Sequence, residues 1–427
     1  MRILIASDYY PPFIGGGHRA IQALARELAR AGHDVEVVTI SHPGIPARED
    51  DTGVAVHRLP HLRALVPSRG RGTQQHHPPF PDPLTVVALR RLLRRFRPDV
   101  VYAYGWIAYS AAVARAGTRM PLLLGAHDYV YCCPTRTLLR DGEHCPGPQL
   151  AACLRCAPKT YGRSKGWLTT LSVRLCGRLL RRSMVGVHSV SSYVEQVTLR
   201  DFIGAGDFVT RVIPSFSEES DAEGDPGEIE RIVDRLPREP FILFVGALRK
   251  VKGVAALVEA YGRLRDAPPL VLLGTVEQDT PGRFPEGVVV LEDAPHGAVM
   301  QAWERCLFGV APSLWPEPLG LVVHEGMSRG ACMIGTAPGG HTDLIVAGES
   351  GLLVPPGDAG ALAEAMQQLI DDPALRERLG AAARVRSSAA TAAGTHDAYE
   401  RLFRDAASAQ GREGLATGEL GRRASRG

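Results

Sequence analysis

The sequence has no run approaching the ~20 consecutive apolar residues of a membrane-spanning helix. Net charge is nearly absent too. Forty-nine Lys and Arg against 46 Asp and Glu leave +3, too little to indicate a nucleic-acid partner, and none is expected. The opening residues, Met1-Arg-Ile-Leu-Ile-Ala-Ser-Asp8, turn charged too soon for a secretory signal and read as a buried first strand; a cytoplasmic protein is expected. One absence is local: from His144 to Val194 no acidic residue occurs, while Lys and Arg number eight. What is present is ordinary for a soluble globular chain, with 427 residues, 45% hydrophobic and 22% charged, enough for two domains with sizeable cores.

The most informative stretch is Ser313-Leu-Trp-Pro-Glu317-Pro-Leu-Gly320-Leu-Val-Val-His-Glu325. Pro318 reads as a helix start, with Glu317 just outside it. The N–H groups of Leu319, Gly320 and Leu321 would then be free donors at a positive dipole end, a site for a phosphate. Glu325 would lie about two turns deeper. Carboxylates beside an anion site make sense if the ligand carries hydroxyl groups next to its phosphates, as a sugar nucleotide does. Without that context, the pair reads as two surface glutamates at helical spacing.

The rest of the chain alternates strands and helices. Ile3–Ala6, the glycines Gly15-Gly16-Gly17, a helical pattern from His18 to Arg30 and a strand Val35–Ile40 form the first unit of a doubly wound sheet. His127 follows the strand Leu122–Ala126, at the end that faces the ligand crevice of such a sheet. Phe241–Gly246 opens a second series, followed by the cations Arg249, Lys250 and Lys252 before the next helix, a pattern that suits a diphosphate. Five of eight cysteines fall between Cys132 and Cys156. In a reducing compartment, a structural zinc on Cys133, Cys145, Cys153 and Cys156 is the preferred reading, with plain buried thiols as its alternative. Trp167, Leu168, Leu171, Leu175 and Leu179 follow helical spacing beside Arg174, Arg178, Arg181 and Arg182. They read either as a helix on an anionic membrane surface or as a packing helix with a solvated basic face.

Glu317 and Glu325 resemble the E-x7-E motif of the retaining GT-B glycosyltransferases (glycosyltransferase family 4, group 1). Further matches follow in order: Pro11-Pro12-x-x-Gly-Gly, His127-Asp-Tyr, Lys252-Gly253 and Gly339-Gly340. Three positions depart from the family pattern: Ala247 for its arginine, Ser215 for its asparagine and Asp343 for its glutamate. The resemblance implies two Rossmann-like doubly wound domains facing a cleft. It implies a nucleotide diphosphate sugar as donor. His127 and Glu317 would lie at the donor sugar, Gly16 and Gly17 at the diphosphate with Arg249 or Lys252, and Glu325 at the ribose. No Asp-x-Asp motif stands in the second half, and no catalytic metal is expected.

The expected organisation is an acceptor domain over 1–214 with a cysteine-rich loop at 132–156 and a linker over 215–239. A donor domain over 240–390, a helix crossing back over 391–407 and a disordered tail over 408–427 complete it. The expected function is sugar transfer to an unknown acceptor, with peripheral contact to the inner face of the membrane left open. A non-catalytic scaffold at a membrane and a sugar-nucleotide epimerase are the alternatives.

Overall fold

A computed structural model describes residues 1–8, 10–13, 15–65, 76–204, 208–216, 224–389 and 392–423, with side chains described to residue 409. Two compact units divide the chain. One comprises Met1–Leu138, Cys145–Ser217 and Ala392–Gly427; the other comprises Leu139–His144 and Glu218–Thr391.

The strands before residue 217 are β1 (Arg2–Ser7), β2 (Asp34–Ile40), β3 (Arg48–Asp51), β4 (Val54–Leu59), β5 (Val100–Tyr104), β6 (Leu122–Ala126), a small hairpin β7 (Leu139–Arg140) and β8 (Glu143–His144), β9 (Gly186–Ser189) and β10 (Val209–Val212). The hairpin apart, they form one sheet in the order β10-β9-β6-β5-β1-β2-β4-β3, parallel except for the β3–β4 edge. β5 and β6 are buried at every position and β1 from Ile3 onward. Such continuous apolar strands belong to a parallel sheet covered on both faces. Six helices serve this unit: α1 (Gly16–Arg30), α2 (Pro83–Phe96), α3 (Ile107–Ala114), α4 (Leu150–Tyr161), α5 (Arg163–Ser183) and α6 (Ser192–Thr198). α1 buries Ala20, Ile21, Leu24 and Leu28 along one stripe. α2 starts where Pro83 presets the first turn and the Asp82 carboxylate accepts the N–H groups of Leu84 and Thr85. A last helix, Ala392–Arg423, places Tyr399, Leu402, Phe403 and Ala406 in the core with Ile3, Ile5 and Tyr102.

The second unit is a six-stranded parallel sheet in the order β13-β12-β11-β14-β15-β16. Its strands are β11 (Ile242–Val245), β12 (Leu270–Leu273), β13 (Val288–Leu291), β14 (Phe308–Val310), β15 (Cys332–Thr336) and β16 (Leu352–Val354). Its helices are α7 (Pro226–Val233), α8 (Val254–Tyr261), α9 (His296–Arg305), α10 (Leu321–Ser328), α11 (His341–Leu344), α12 (Ala359–Asp371) and α13 (Pro373–Ala389). In each sheet the strand order reverses once beside the first strand, between β1 and β5 and between β11 and β14. Ligands bind outside the C-terminal strand ends at such a reversal.

The stretch 215–239, read from sequence as a linker, contains α7. Asp225 caps α7 by accepting the Glu228 N–H, and Ile229 and Ile232 are buried. Arg305 of α9 donates to the carbonyls of Val233 and Pro237. The acidic residues around Ile229 and Ile232 gave the stretch the composition of a linker, although those two side chains anchor a helix. Residues 217–223 of that stretch lie outside those described. Where a helix over 391–407 and a disordered tail over 408–427 were expected, the helix is Ala392–Arg423, and the last four residues lie outside those described.

Candidate active site

In the second unit the site is built on the loop that leaves β14. Gly253 sits in the left-handed region at φ 76°, and a Cβ there would fall 1.8 Å from the Pro312 carbonyl oxygen. Only glycine lets the two loops close in this way. Leu314 N–H then donates to Val251 O at 2.9 Å. This brings Lys252 Nζ to 2.5 Å from Glu317 Oε1, with Ser313 Oγ donating to the same oxygen at 2.8 Å. Both bonds land on Oε1 and leave Oε2 as an acceptor for a ligand. Glu317 is 7% exposed. Burial pushes its carboxyl up, but the Lys252 charge and these hydrogen bonds outweigh burial, and the net shift is down.

A second loop braces the first. A Cβ on Gly340 would lie 2.2 Å from the Pro318 carbonyl oxygen, and Gly340 N–H donates to Glu317 O at 2.6 Å. The two glycines therefore hold the Glu317 loop by backbone contact. They also deliver His341, whose Nδ1 accepts the Thr336 N–H at 3.1 Å. Burial pushes this histidine down to about 4, so the ring is neutral and its one hydrogen is on Nε2. That Nε2–H is buried with no partner among the described residues. It lies against Gly320, where a Cβ would approach it to 2.7 Å. Gly320, at φ 94°, is the N-cap of α10. The helix thus begins at Leu321, three residues later than Pro318 suggests, because Gly320 in the left-handed region delays it. Among the described residues the first-turn N–H groups of Leu321 and Val322 make no hydrogen bond, whereas Val323 N–H donates to Gly320 O; Leu319 and Gly320 form the turn before them. Glu325 is on the next turn, 5% exposed, with Oε1 4.0 Å from His296 Nε2 at the start of α9. Arg249 does not join this cluster: half exposed, it faces Asp279, with Nε 3.6 Å from Oδ1.

In the first unit the C-terminal strand ends carry a different kind of site. Gly16 and Gly17 open α1, so their N–H groups are at the helix start. A Cβ on Gly17 would lie 3.2 Å from the Tyr104 hydroxyl, and the Tyr104 ring packs on His127 with centroids 4.5 Å apart. Tyr104 therefore links the two expected elements, Gly17 and His127. Burial holds His127 well below the usual histidine range and His188 down at about 4. Both rings are neutral, and their tautomers follow from the one partner that can only accept. Ile213 O accepts from His188 Nε2–H at 2.7 Å. His188 Nδ1 is then a lone pair that accepts the Tyr102 hydroxyl at 2.8 Å. The Tyr102 oxygen accepts in turn from His127 Nε2–H at 2.6 Å. His127 Nδ1 is left as an acceptor, facing Ser215 Oγ at 3.3 Å. Gly125 makes room for this chain, since its Cβ would sit 2.2 Å from the Tyr102 hydroxyl.

Sequence reading missed Tyr102, Tyr104, His188, Ser313 and His341. It also missed Asp8, which accepts the N–H groups of Trp106 and Ile107 at 2.7 and 2.9 Å and which burial raises to about 7. The available signals were an aspartate directly after the first strand and a histidine directly after the glycine pair.

The four expected zinc ligands are not gathered. Among the described residues, no group of three or more His, Cys, Asp or Glu side chains is placed to hold a metal ion. Cys153 and Cys156 lie one turn apart on the regular helix α4, where a zinc knuckle would need a tight turn. Cys133 Sγ is 3.2 Å from Thr135 Oγ1, and Cys145 Sγ donates to Gly147 O. The loop is stapled instead by Arg136, which donates twice to Asp128 Oδ2.

Comparison with known proteins agrees with this division. Residues 15–214 match the glycosyl transferase 4-like domain, and residues 227–386 match the glycosyl transferases group 1 family. By these two matched domains the chain is a glycosyltransferase. This glycosyltransferase is 27% identical to a glycogen synthase of Mycobacterium tuberculosis over 430 residues, covering 90% of each chain. It is 26% identical to the D-inositol 3-phosphate glycosyltransferase of Pseudarthrobacter chlorophenolicus, again covering 90% of each. Sucrose-phosphate synthase from Thermosynechococcus elongatus has the same fold, with a TM-score of 0.71 at 22% identity over 95% of this chain and 98% of that one. Anabaena HepE in complex with UDP gives 0.68 at 18% identity, over 95% and 100%. The fold of this glycosyltransferase is GT-B, with two Rossmann-like α/β units.

Proposed function

We propose that this glycosyltransferase is a retaining enzyme that takes its sugar from a nucleotide diphosphate sugar. The observation that carries the reading is the entrance to α10. There an ionised carboxylate, an ammonium, an unpartnered His341 Nε2–H and two free helix amides lie on adjoining loops. Such a site suits a ligand with both hydroxyl groups and phosphates. Glu317 Oε2 accepts sugar hydroxyls. Lys252, His341 and the amides of Leu321 and Val322, with Leu319 and Gly320 shaping the turn, take the diphosphate. Their positive ends oppose the negative charge that develops on the leaving group. Glu325 takes ribose hydroxyls. Arg249 is left to a peripheral role. In the other unit, the Gly16 and Gly17 amides at the start of α1 suit a phosphate, and His127 Nδ1 can take a hydroxyl in place of Ser215. The reading requires no catalytic divalent cation. The named relatives and the nucleotide in the HepE structure support a nucleotide-sugar donor.

The test is a panel of UDP-, ADP-, GDP- and dTDP-α-sugars, followed by NMR for the released nucleoside diphosphate and the anomeric proton of the freed sugar. One donor should be hydrolysed slowly, with the α anomer appearing first. The β anomer first would exclude retention, and no turnover of any donor with an acceptor extract added would exclude the enzyme reading.

A further inference from the structure

α5 has three faces. Gly166, Thr170, Val173, Gly177 and Leu180 are buried. Opposite them, Trp167, Leu168, Leu171, Leu175 and Leu179 are 46%, 53%, 45%, 60% and 42% exposed. Single exposed leucines are common, but here they are a stripe running about 18 Å along one helix. Between stripe and buried face lie Arg174, Arg178 and Arg181, which line a cavity of about 250 Å³ whose other walls include Tyr131, Cys132 and Asp201. None of the three arginines has a hydrogen bond or ion pair among the described residues, whereas Asp201 is held by Arg200 through two 2.7 Å bonds. The cavity is below the ~300–1,000 Å³ of sites for drug-sized ligands, which suits a headgroup rather than a nucleotide.

We propose that this face docks on a bilayer containing anionic phospholipid, with one lipid phosphate in the arginine-lined cavity and the leucine stripe among the acyl chains. The charge and the apolar surface point to the same occupant. Leucines flanked by arginines on one face are the pattern of a helix lying in a membrane interface. Trp167 fits the same boundary: its Nε1–H is satisfied by Leu154 O at 3.1 Å, its ring is half exposed, and Arg163 lies 5.7 Å over it. An acidic protein surface would complement the arginines but has no use for the leucines. The proposal is independent of the donor chemistry.

The experiment is co-sedimentation of the full chain with vesicles of phosphatidylcholine alone, or with phosphatidylglycerol added. Binding should occur only to the anionic vesicles. Arg174→Ala with Arg178→Ala should weaken it roughly thirtyfold, the product of two headgroup-level charges. Leu171→Gln with Leu175→Gln should weaken it at least about tenfold. Arg91→Ala with Arg94→Ala, two exposed arginines on α2, should change it less than about twofold by comparison. All these positions are at the surface, so folding is retained and is checked by thermal melting. Absence of binding to anionic vesicles overturns the proposal. So does an equal loss in the α2 pair, which would mean diffuse charge. Tight binding of glycerol 1-phosphate with no gain from vesicles would mark a free phosphate-ester site and also overturn it.

Discussion

The two units solve the same topological problem with opposite electrostatics. Each places polar residues along the C-terminal halves of its parallel strands or just beyond them. In the first unit the polar groups are neutral and bonded to one another: Ile213, His188, Tyr102, His127 and Ser215 form one directed chain of hydrogen bonds. In the second they are charged or unmatched: Lys252 with Glu317, and His341 with a buried N–H left over. A buried donor without a partner is rare in a native fold, and this one lies against Gly320 at the entrance to α10. The comparison teaches that the first site is pre-shaped by its own hydrogen bonds, whereas the second is completed by what it binds.

The largest break in that contrast is Glu317→Ala. It removes the sugar acceptor and leaves Lys252 unpaired, and turnover should fall by about 10²–10³ while the fold persists. Steady-state kinetics with the donor found above checks this. Gly253→Ala comes next. Its Cβ would meet Pro312 O at 1.8 Å, whereas Gly117, also at positive φ, has open space. Chemical denaturation should show a loss of about 3 kcal/mol or more for Gly253→Ala against about 1 kcal/mol for Gly117→Ala. Tyr102→Phe cuts the hydrogen-bond chain at its centre, stranding a donor on His127 and an acceptor on His188. A loss of about 2 kcal/mol is expected by the same measurement.

Acid sharpens the comparison differently. His188 and His341 are both held down at about 4 by burial. Below the unfolded value near 6.5, the unfolded chain takes up protons that the folded chain refuses, so stability falls as pH drops from about 6.5 to 4. Glu317 is shifted the other way from its burial, by Lys252, and its contribution is present above its unfolded value and lost at still lower pH. Melting temperature should therefore decline below pH 6.5 in two stages, and His188→Asn should reduce the first.

Sequence made the alternating elements and the glycine turns legible, and it put Lys252, Glu317 and His127 on loops that follow strands, because each rests on local pattern: a strand, a turn, then a helix. It could not show what depends on distance between strands. His188 is far from His127 in the chain and adjacent to it only through the β6–β9 pairing. His341 becomes a donor only because Thr336 N–H occupies its other nitrogen. The cysteines misled for the converse reason: their spacing mimics a knuckle, but Cys153 and Cys156 fall within a continuous helix. Arg249 stood near the right loop and points at Asp279 instead.

The most direct test is calorimetric titration with UDP, ADP and GDP of the wild type, Lys252→Met, His341→Phe and Tyr102→Phe. The account predicts that one diphosphate binds the wild type, that either second-unit variant weakens it at least about tenfold, and that Tyr102→Phe changes it less than about threefold. Equal weakening by Tyr102→Phe, or undiminished binding by Lys252→Met and His341→Phe, would contradict the claim that the diphosphate is held at the entrance to α10.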